Sequence, residues 1–166
     1  MKKKLCIVGH ARSGKDTMAE ILRDEFGYTF KSSSQAASDI FIYDGLKTKY
    51  GYTSPEQCFE DRLNRRKEWY EMICEYNKND KARLAKEIMK SNDIYVGMRD
   101  REEIEECIRQ GIFDIVVWVD ASGRVQDEPA TSFNISIDLA DEVIVNKAGY
   151  PEFREKVIKF ANENLI

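Results

Sequence analysis

The chain has 166 residues, of which 42% are hydrophobic and 34% are charged, and its formal net charge is −4. This length fits one domain with one hydrophobic core, and the acidic balance excludes a general basic coat protein for nucleic acid while leaving room for a local basic groove. No apolar run approaches the roughly 18 residues of a membrane span, and the cysteines lack metal-site spacing. We therefore expect a cytoplasmic single domain over 1–166, with reduced thiols and no membrane contact.

The first part of the chain predicts a strand, a helix, a strand and then a series of helices. Residues 5–8 are apolar and enter a glycine loop, which predicts a buried parallel strand. Residues 15–26 have helical apolar spacing and end at Gly27, as a helix commonly does. Residues 28–30 predict a short second strand. The helices that follow are predicted over 34–50, from Thr53-Ser54-Pro55-Glu56 through residue 73, and over 80–90.

The second part of the chain continues the alternation of strands and helices. The predicted elements are a strand at 93–97, a helix at 100–110 with Ile104, Cys107 and Ile108 facing inward, strands at 115–119 and 143–145, and a final helix carrying Phe153, Val157, Phe160, Ala161 and Leu165. Residues 121–134 are polar and irregular. This alternation predicts an α/β fold, with a parallel sheet covered by helices on both faces.

One segment between the first strand and the first helix has the composition of a phosphate-binding loop. Glycines in such a loop allow a tight turn whose backbone N–H groups point at an anion, and the helix N-terminus adds its positive end. Lys15 is expected to reach the β- and γ-phosphates of a nucleotide. An ordinary turn with a capping aspartate is the alternative. The segment consists of Gly9, His10, Ala11, Arg12, Ser13, Gly14, Lys15, Asp16 and Thr17.

The residue after the lysine departs from the usual pattern, which has Ser or Thr at that position. Asp16 stands there instead, and Thr17 follows it. Position 16 faces the metal in such loops, so its carboxylate is expected to hold Mg²⁺ directly or through water. The Thr17 hydroxyl is then expected to contact a phosphate or the metal shell.

The Gly-Lys-Asp-Thr segment resembles that of P-loop nucleotide kinases, above all bacteriophage deoxynucleoside monophosphate kinases and the related phage kinases that phosphorylate 5-hydroxymethyluracil in DNA. The resemblance covers most of the chain in outline, through 32–34, 59–62, 97–99 and 140–146. It implies a three-layer α/β sandwich with a five-stranded parallel sheet, ATP with Mg²⁺, a helical acceptor-binding region at about 32–90 and a lid at about 121–134. A phage-encoded enzyme of this kind works in the cytoplasm of the infected host.

The sequence departs from these kinases at the end of the third strand, and the resemblance implies one further site residue. Such kinases often carry an acidic residue at the end of the third strand, whereas this strand ends Val96-Gly97-Met98-Arg99. Asp16 or Asp120 then remains to organise the metal. Asn146 lies after the last strand, in a segment similar to the adenine-contacting loop of nucleotide kinases.

Two arginines are candidates for stabilising the phosphoryl group in transfer, because catalysis of this reaction depends on positioning and on cationic charge. Arg99 leaves the third strand at the carboxyl edge of the sheet, where ligands of open α/β sheets bind. Arg124 lies in the polar segment 121–134, whose length and polarity suit a mobile lid. The alternatives are a surface arginine that opens a helix and a plain surface loop.

The helical region carries the candidate acceptor contacts. Arg62, Arg66, Trp69 and Tyr70 are expected to hold a base and a phosphate, or a nucleic-acid strand, and a solvated basic stripe is the alternative. Ser33 and Ser34 follow the second strand, near the expected acceptor site. Asp39 is the candidate general base if the acceptor is a hydroxyl group, whereas a phosphate acceptor needs none.

These residues predict an ATP-dependent phosphotransferase that acts on a deoxynucleoside monophosphate. The alternative acceptor is the hydroxymethyl group of 5-hydroxymethyluracil within DNA, and the net charge leans mildly against such a polymer. A nucleotide-binding module without catalysis is the rival from another class. A homodimer remains open, because nothing in the sequence decides the oligomeric state.

Overall fold

A computed structural model describes all residues, 1–166. Five parallel strands form one sheet in the order β2-β3-β1-β4-β5. The strands are β1 Leu5–Val8, β2 Phe30–Ser32, β3 Ile94–Val96, β4 Ile115–Asp120 and β5 Glu142–Val145. In the central strand, Leu5 lies opposite both Ile94 and Ile115. All five strands therefore end at one edge of the sheet, where open α/β folds bind ligands.

Eight α-helices connect the strands and cover the sheet. They are α1 Lys15–Phe26, α2 Ser33–Ala37, α3 Tyr43–Tyr50, α4 Pro55–Asp61, α5 Arg66–Tyr76, α6 Arg83–Met89, α7 Arg101–Arg109 and α8 Tyr150–Asn164. A π-helical turn at Ser38–Ile42 links α2 to α3, and a 3₁₀ turn at Arg62–Asn64 links α4 to α5. None of these helices has the length and apolar character needed to cross a membrane.

Alternating side chains of the buried strands separate the hydrophobic core into two layers. Leu5 and Ile7 face the layer that α1 and α8 cover, and Cys6 and Val8 face the layer formed by the helices of the chain's middle part. Side chains alternate across a strand, so a continuously apolar strand such as β1 must be covered on both faces. The predicted three-layer α/β sandwich with a five-stranded parallel sheet is confirmed.

Several predicted element boundaries are wrong. The second strand covers 30–32 rather than 28–30, and the helix predicted over 34–50 contains the π-helical turn. The helix predicted from residue 53 breaks at the 3₁₀ turn, where Arg65 has φ −126° and ψ 24°. Leu63, in this turn, is 59% exposed. On α7, Ile108 is 44% exposed instead of facing inward, whereas Ile104 and Cys107 are buried as predicted.

A buried acid on α7 makes the stability of this fold depend on pH. Glu103 is only 3% exposed and its Oε1 has no hydrogen-bond partner. Burial raises the pKa of Glu103 to about 7. Because the folded chain holds this proton more tightly than the unfolded chain, Glu103 lowers stability as pH rises from about 4.5 to 7. Glu103→Gln is therefore expected to raise the free energy of unfolding at pH 8 by up to about 3 kcal/mol, and little at pH 5.

Urea denaturation of both proteins at pH 5 and pH 8 measures this difference. Glu102→Gln is the matched control, because Glu102 is exposed on the same helix. Glu102→Gln should change the free energy of unfolding at pH 8 much less than Glu103→Gln does. A Glu103→Gln effect of equal size at the two pH values would contradict a titrating Glu103.

Candidate active site

The loop between β1 and α1 has the backbone of an anion cradle. Gly9 has φ 151° and Gly14 has φ 107°, a region in which side chains are strained. A Cβ atom on Gly9 would lie 2.7 Å from the Val119 carbonyl oxygen, and one on Gly14 would collide with the Asn146 amide. Glycine is thus required at both ends of the loop. α1 then begins at Lys15, with its free N–H groups directed toward the carboxyl edge of the sheet.

Two residues from later in the chain hold the outer side of this loop. The Asn146 amide donates a hydrogen bond of 2.8 Å to the Ser13 carbonyl oxygen. Arg124 donates from Nε to the Asn146 carbonyl oxygen at 3.1 Å and from Nη2 to the Arg12 carbonyl oxygen at 3.3 Å. Both side chains therefore lie beside the loop, and Arg124 does not extend over the cleft described next.

Lys15 lies where a phosphate-binding lysine is expected. Its ammonium group donates to the His10 carbonyl oxygen at 2.9 Å, across the mouth of the loop. Burial, together with the charge of Arg99, lowers the pKa of Lys15 to about 8. At neutral pH the side chain therefore still carries its charge in most molecules.

A cleft of about 560 Å³ opens next to the loop at the carboxyl edge of the sheet. It brings together most of the predicted acceptor and catalytic residues from four separate parts of the chain. They are Ala11, Arg12, Lys15 and Asp16 of the loop, Ser33 and Ser34 of α2, Arg62, Arg66, Trp69 and Tyr70 of the helical region, and Arg99 after β3. The break between α4 and α5 does not separate Arg62 from Arg66, since both line this cleft.

The cleft is cationic although the whole chain is acidic. Lys15, Arg62, Arg66 and Arg99 all line it. Burial of Arg62 and the positive charge of the nearby Arg66 lower the pKa of Arg62. Both effects disfavour the charged form of a cation. Such a group of cations is costly in the absence of an anion, so the cleft is suited to a ligand with several negative charges.

An aromatic wall lies beside these cations. Trp69 is buried and packs against Phe59 at a ring-centroid distance of 6.2 Å, and the Arg62 guanidinium lies 3.7 Å from the Phe59 ring centre. The Tyr70 hydroxyl donates to Asp100 Oδ1 at 2.7 Å. Burial and this contact raise the pKa of Tyr70. The wall therefore places aromatic rings next to guanidinium groups at the cleft, a combination that suits a nucleotide.

The sequence matches no protein-family model and no curated protein. Its structure is similar to that of dephospho-CoA kinase from Campylobacter jejuni, with a TM-score of 0.54 and 15% identity over 98% of this chain and 97% of that chain. It is also similar to shikimate kinase from Bacteroides thetaiotaomicron, with a TM-score of 0.52 and 10% identity over 98% of both chains. Shikimate kinase from Acinetobacter baumannii has a TM-score of 0.52 and 14% identity, over 98% of this chain and 94% of that chain. The fold is that of the P-loop kinases. The narrower likeness to phage enzymes stays a prediction.

Within this P-loop kinase fold, the groups that would contact ATP phosphates and Mg²⁺ fit those ligands. Ser13 Oγ is buried in the loop without a hydrogen-bond partner. Asp16 is exposed on the cleft wall, whereas Thr17 is half-buried in the first turn of α1 and does not line the cleft. No group of three or more His, Cys, Asp or Glu side chains could hold a metal ion. Mg²⁺ usually needs only one or two carboxylates, with phosphates and waters as its other ligands, so Asp16 suits it.

Asp39 does not join the other predicted residues. Its exposed carboxylate pairs with Lys31 Nζ at 3.0 Å and accepts from Gln35 Nε2 at 3.1 Å. It lies in the π-helical turn, and none of the cleft lining comes from that turn. The structure therefore gives the predicted base no contact with the acceptor cleft.

Glu128 contacts the loop and two arginines of the cleft, although no sequence pattern predicts it. Its side chain is 7% exposed, and its Oε2 accepts from the Ala11 N–H at 2.9 Å. Oε1 accepts from Arg66 at 3.2 Å and also accepts from Arg99. Glu128 belongs to the predicted lid, where an acid among polar residues carries no pattern that distinguishes it from a solvated one.

Proposed function

We propose that the protein transfers the γ-phosphoryl group of ATP to a nucleotide-type acceptor, which is a deoxynucleoside monophosphate. The observation that carries this proposal is the cleft in which Lys15 of the loop faces three arginines and an aromatic wall. Phosphoryl transfer requires the reacting groups to be positioned and their negative charge to be stabilised, and these residues supply both. The kinase names of the structural neighbours agree with this class of reaction.

The cleft favours a free nucleotide over a hydroxyl acceptor. A phosphate acceptor brings its own negative oxygen and needs no general base, whereas a hydroxymethyl group must lose a proton. Asp39, the predicted base, pairs with Lys31 outside the cleft. Arg62 and Arg66 suit the acceptor phosphate, and the wall formed by Trp69 and Phe59 suits its base.

In the proposed reaction, an oxygen of the acceptor phosphate forms a bond to the γ-phosphorus, and the bond from that phosphorus to the bridging oxygen of ADP breaks. Lys15 neutralises charge on the β- and γ-phosphates, and Arg99 contacts the group in transfer. Asp16 would hold Mg²⁺, which would supply further positive charge to the phosphates. Asn146 and Arg124 maintain the shape of the loop from its outer side.

The test offers [γ-³²P]ATP with four separate acceptors: a mixture of deoxynucleoside monophosphates, duplex DNA containing 5-hydroxymethyluracil, shikimate, and dephospho-CoA. We expect label in deoxynucleoside diphosphates alone. Label only in DNA would assign the hydroxymethyl base as acceptor, and Asp39→Asn would then be the variant to measure. Label in none of the four pools would overturn the proposal. Unlabelled ATP in excess is the control for specific transfer.

A further inference from the structure

A single carboxylate contacts three residues that line the cationic cleft. Glu128 is contributed by the segment after β4, and it bridges the loop to the helical region. One of its oxygens accepts the Ala11 backbone N–H at 2.9 Å, and the other accepts from the guanidinium groups of Arg66 and Arg99. Its side chain is 7% exposed, so this contact is also largely shielded from water.

These three donors form a complete anion subsite. A backbone N–H group at a phosphate loop and two guanidinium groups are the donors that proteins commonly use for phosphate oxygens. A carboxylate offers oxygen acceptors similar to those of a phosphate group, but it carries less negative charge. Glu128 uses the Ala11 N–H, and a phosphate oxygen bound at this subsite would need the same donor and the same space. Two anions that close together repel each other strongly in a shielded site, so they cannot share it.

The segment that carries Glu128 is attached to the loop at this residue and at residues before it. The Glu128 N–H donates to His10 Nδ1 at 3.0 Å, and Asp127 Oδ1 lies 3.4 Å from His10 Nε2. Arg124 contacts the Arg12 carbonyl oxygen. Withdrawal of the carboxylate can therefore occur by side-chain rotation, or by release of the short stretch around residues 127 and 128.

We propose that Glu128 is an internal competitor for a phosphoryl subsite formed by the Ala11 N–H, Arg66 and Arg99. It holds both arginines together while the subsite has no phosphate, and a phosphate group displaces it. This inference rests on the proposed function, because the displacing anion is the terminal phosphate of ATP or the phosphate of the acceptor. The displaced carboxylate releases the arginines to the phosphoryl group, so that phosphate binding and opening of the segment around residue 128 are coupled.

The test measures binding of inorganic tripolyphosphate, with Mg²⁺ present, by isothermal titration calorimetry of the full chain. Glu128→Gln and Glu128→Ala are both expected to bind it more tightly than the wild type. The expected gain is about 5- to 150-fold, the usual range for two coupled equilibria. The alanine variant should gain at least as much as the glutamine variant, since the glutamine amide still accepts from Ala11. Circular dichroism verifies that both variants are folded.

Glu155→Gln is the matched control, because it makes the same substitution at an exposed residue of α8. Glu155 does not line the cleft and has no contact with the two arginines, so its change in affinity should be much smaller. Unchanged or weaker tripolyphosphate binding by both Glu128 variants would overturn the inference. Unchanged affinity with a lower kcat would instead assign Glu128 as a positioning residue for Arg99, which also overturns it.

Failure of this inference and failure of the proposed function give different results. If the wild type labels deoxynucleoside diphosphates but the Glu128 variants bind tripolyphosphate no better, the function stands and the competitor role is wrong. If the variants bind tripolyphosphate more tightly but no acceptor is labelled, the subsite stands and the proposed reaction is wrong.

Discussion

Lys15→Met is expected to lower kcat/KM for ATP by about 100- to 1,000-fold, the range seen when one group that stabilises developing charge is removed. The Lys15 ammonium lies across the mouth of the loop on the His10 carbonyl oxygen, and an incoming phosphate provides a stronger partner than that carbonyl. Methionine retains the length of the side chain and removes its charge. Steady-state phosphoryl transfer from labelled ATP, with the acceptor saturating, measures the loss.

Two controls separate charge from general damage. Lys159→Met removes an exposed lysine on α8 and should leave kcat/KM at the wild-type value. Lys15→Arg keeps a positive charge but replaces a compact ammonium with a broad guanidinium, so we expect partial activity. Because the pKa of Lys15 is about 8, wild-type kcat/KM for ATP should fall above that pH. The arginine variant should lack this fall, and a Lys15→Met protein with normal kcat/KM would contradict the assignment.

The phosphate loop and the sheet could be predicted from sequence because their signals are local. Glycines at 9 and 14, an apolar strand before them and helical spacing after them all lie within one short stretch. Arg99 could also be predicted to lie at the site, since the carboxyl ends of parallel strands share one edge. In both cases the chain direction and the sheet geometry determine the position without any knowledge of distant contacts.

The rest of the site depends on contacts between distant residues. Glu128 is 117 residues from Ala11 and 62 from Arg66, and no periodic pattern relates positions so far apart. Asp39 is predicted from its place on the helix after Ser33 and Ser34, whereas its carboxylate pairs with Lys31 and accepts from Gln35 outside the cleft. Arg124 belongs to a segment whose path only the folded chain defines. The sequence of a polar loop does not determine where such side chains lie in the fold.

The net charge of −4 gave little information about the site for a related reason. Most acidic side chains of the chain pair with nearby lysines or arginines on the surface, as Glu106 does with Arg109 and Glu152 with Lys156. Such exposed pairs contribute little to stability and cancel in the total charge. The cations of the cleft are instead brought together from the loop, the 3₁₀ turn, α5 and the residues after β3, so their joint field is a property of the fold.

Arg99→Ala is expected to lower kcat by about 1,000-fold, the lower end of the effect of an arginine that stabilises phosphoryl transfer. Arg99 lines the cleft opposite the loop and reaches the same carboxylate as the Ala11 N–H, which places its guanidinium at the proposed phosphoryl subsite. If its contact strengthens only in the transition state, kcat and kcat/KM should fall together, with little change in the KM for ATP. Single-turnover transfer of labelled phosphate measures the chemical step.

Arg109→Ala is the matched control, since Arg109 is exposed on α7 and pairs only with Glu106. It should leave kcat unchanged. Arg99→Lys retains the charge but loses the planar fork that can contact two oxygens at once, so we expect an intermediate kcat. A rise in KM for ATP with kcat unchanged would show that Arg99 binds the ground state and the transition state equally well. That result would remove Arg99 from catalysis and leave Lys15 as the principal cation acting on the transferred group.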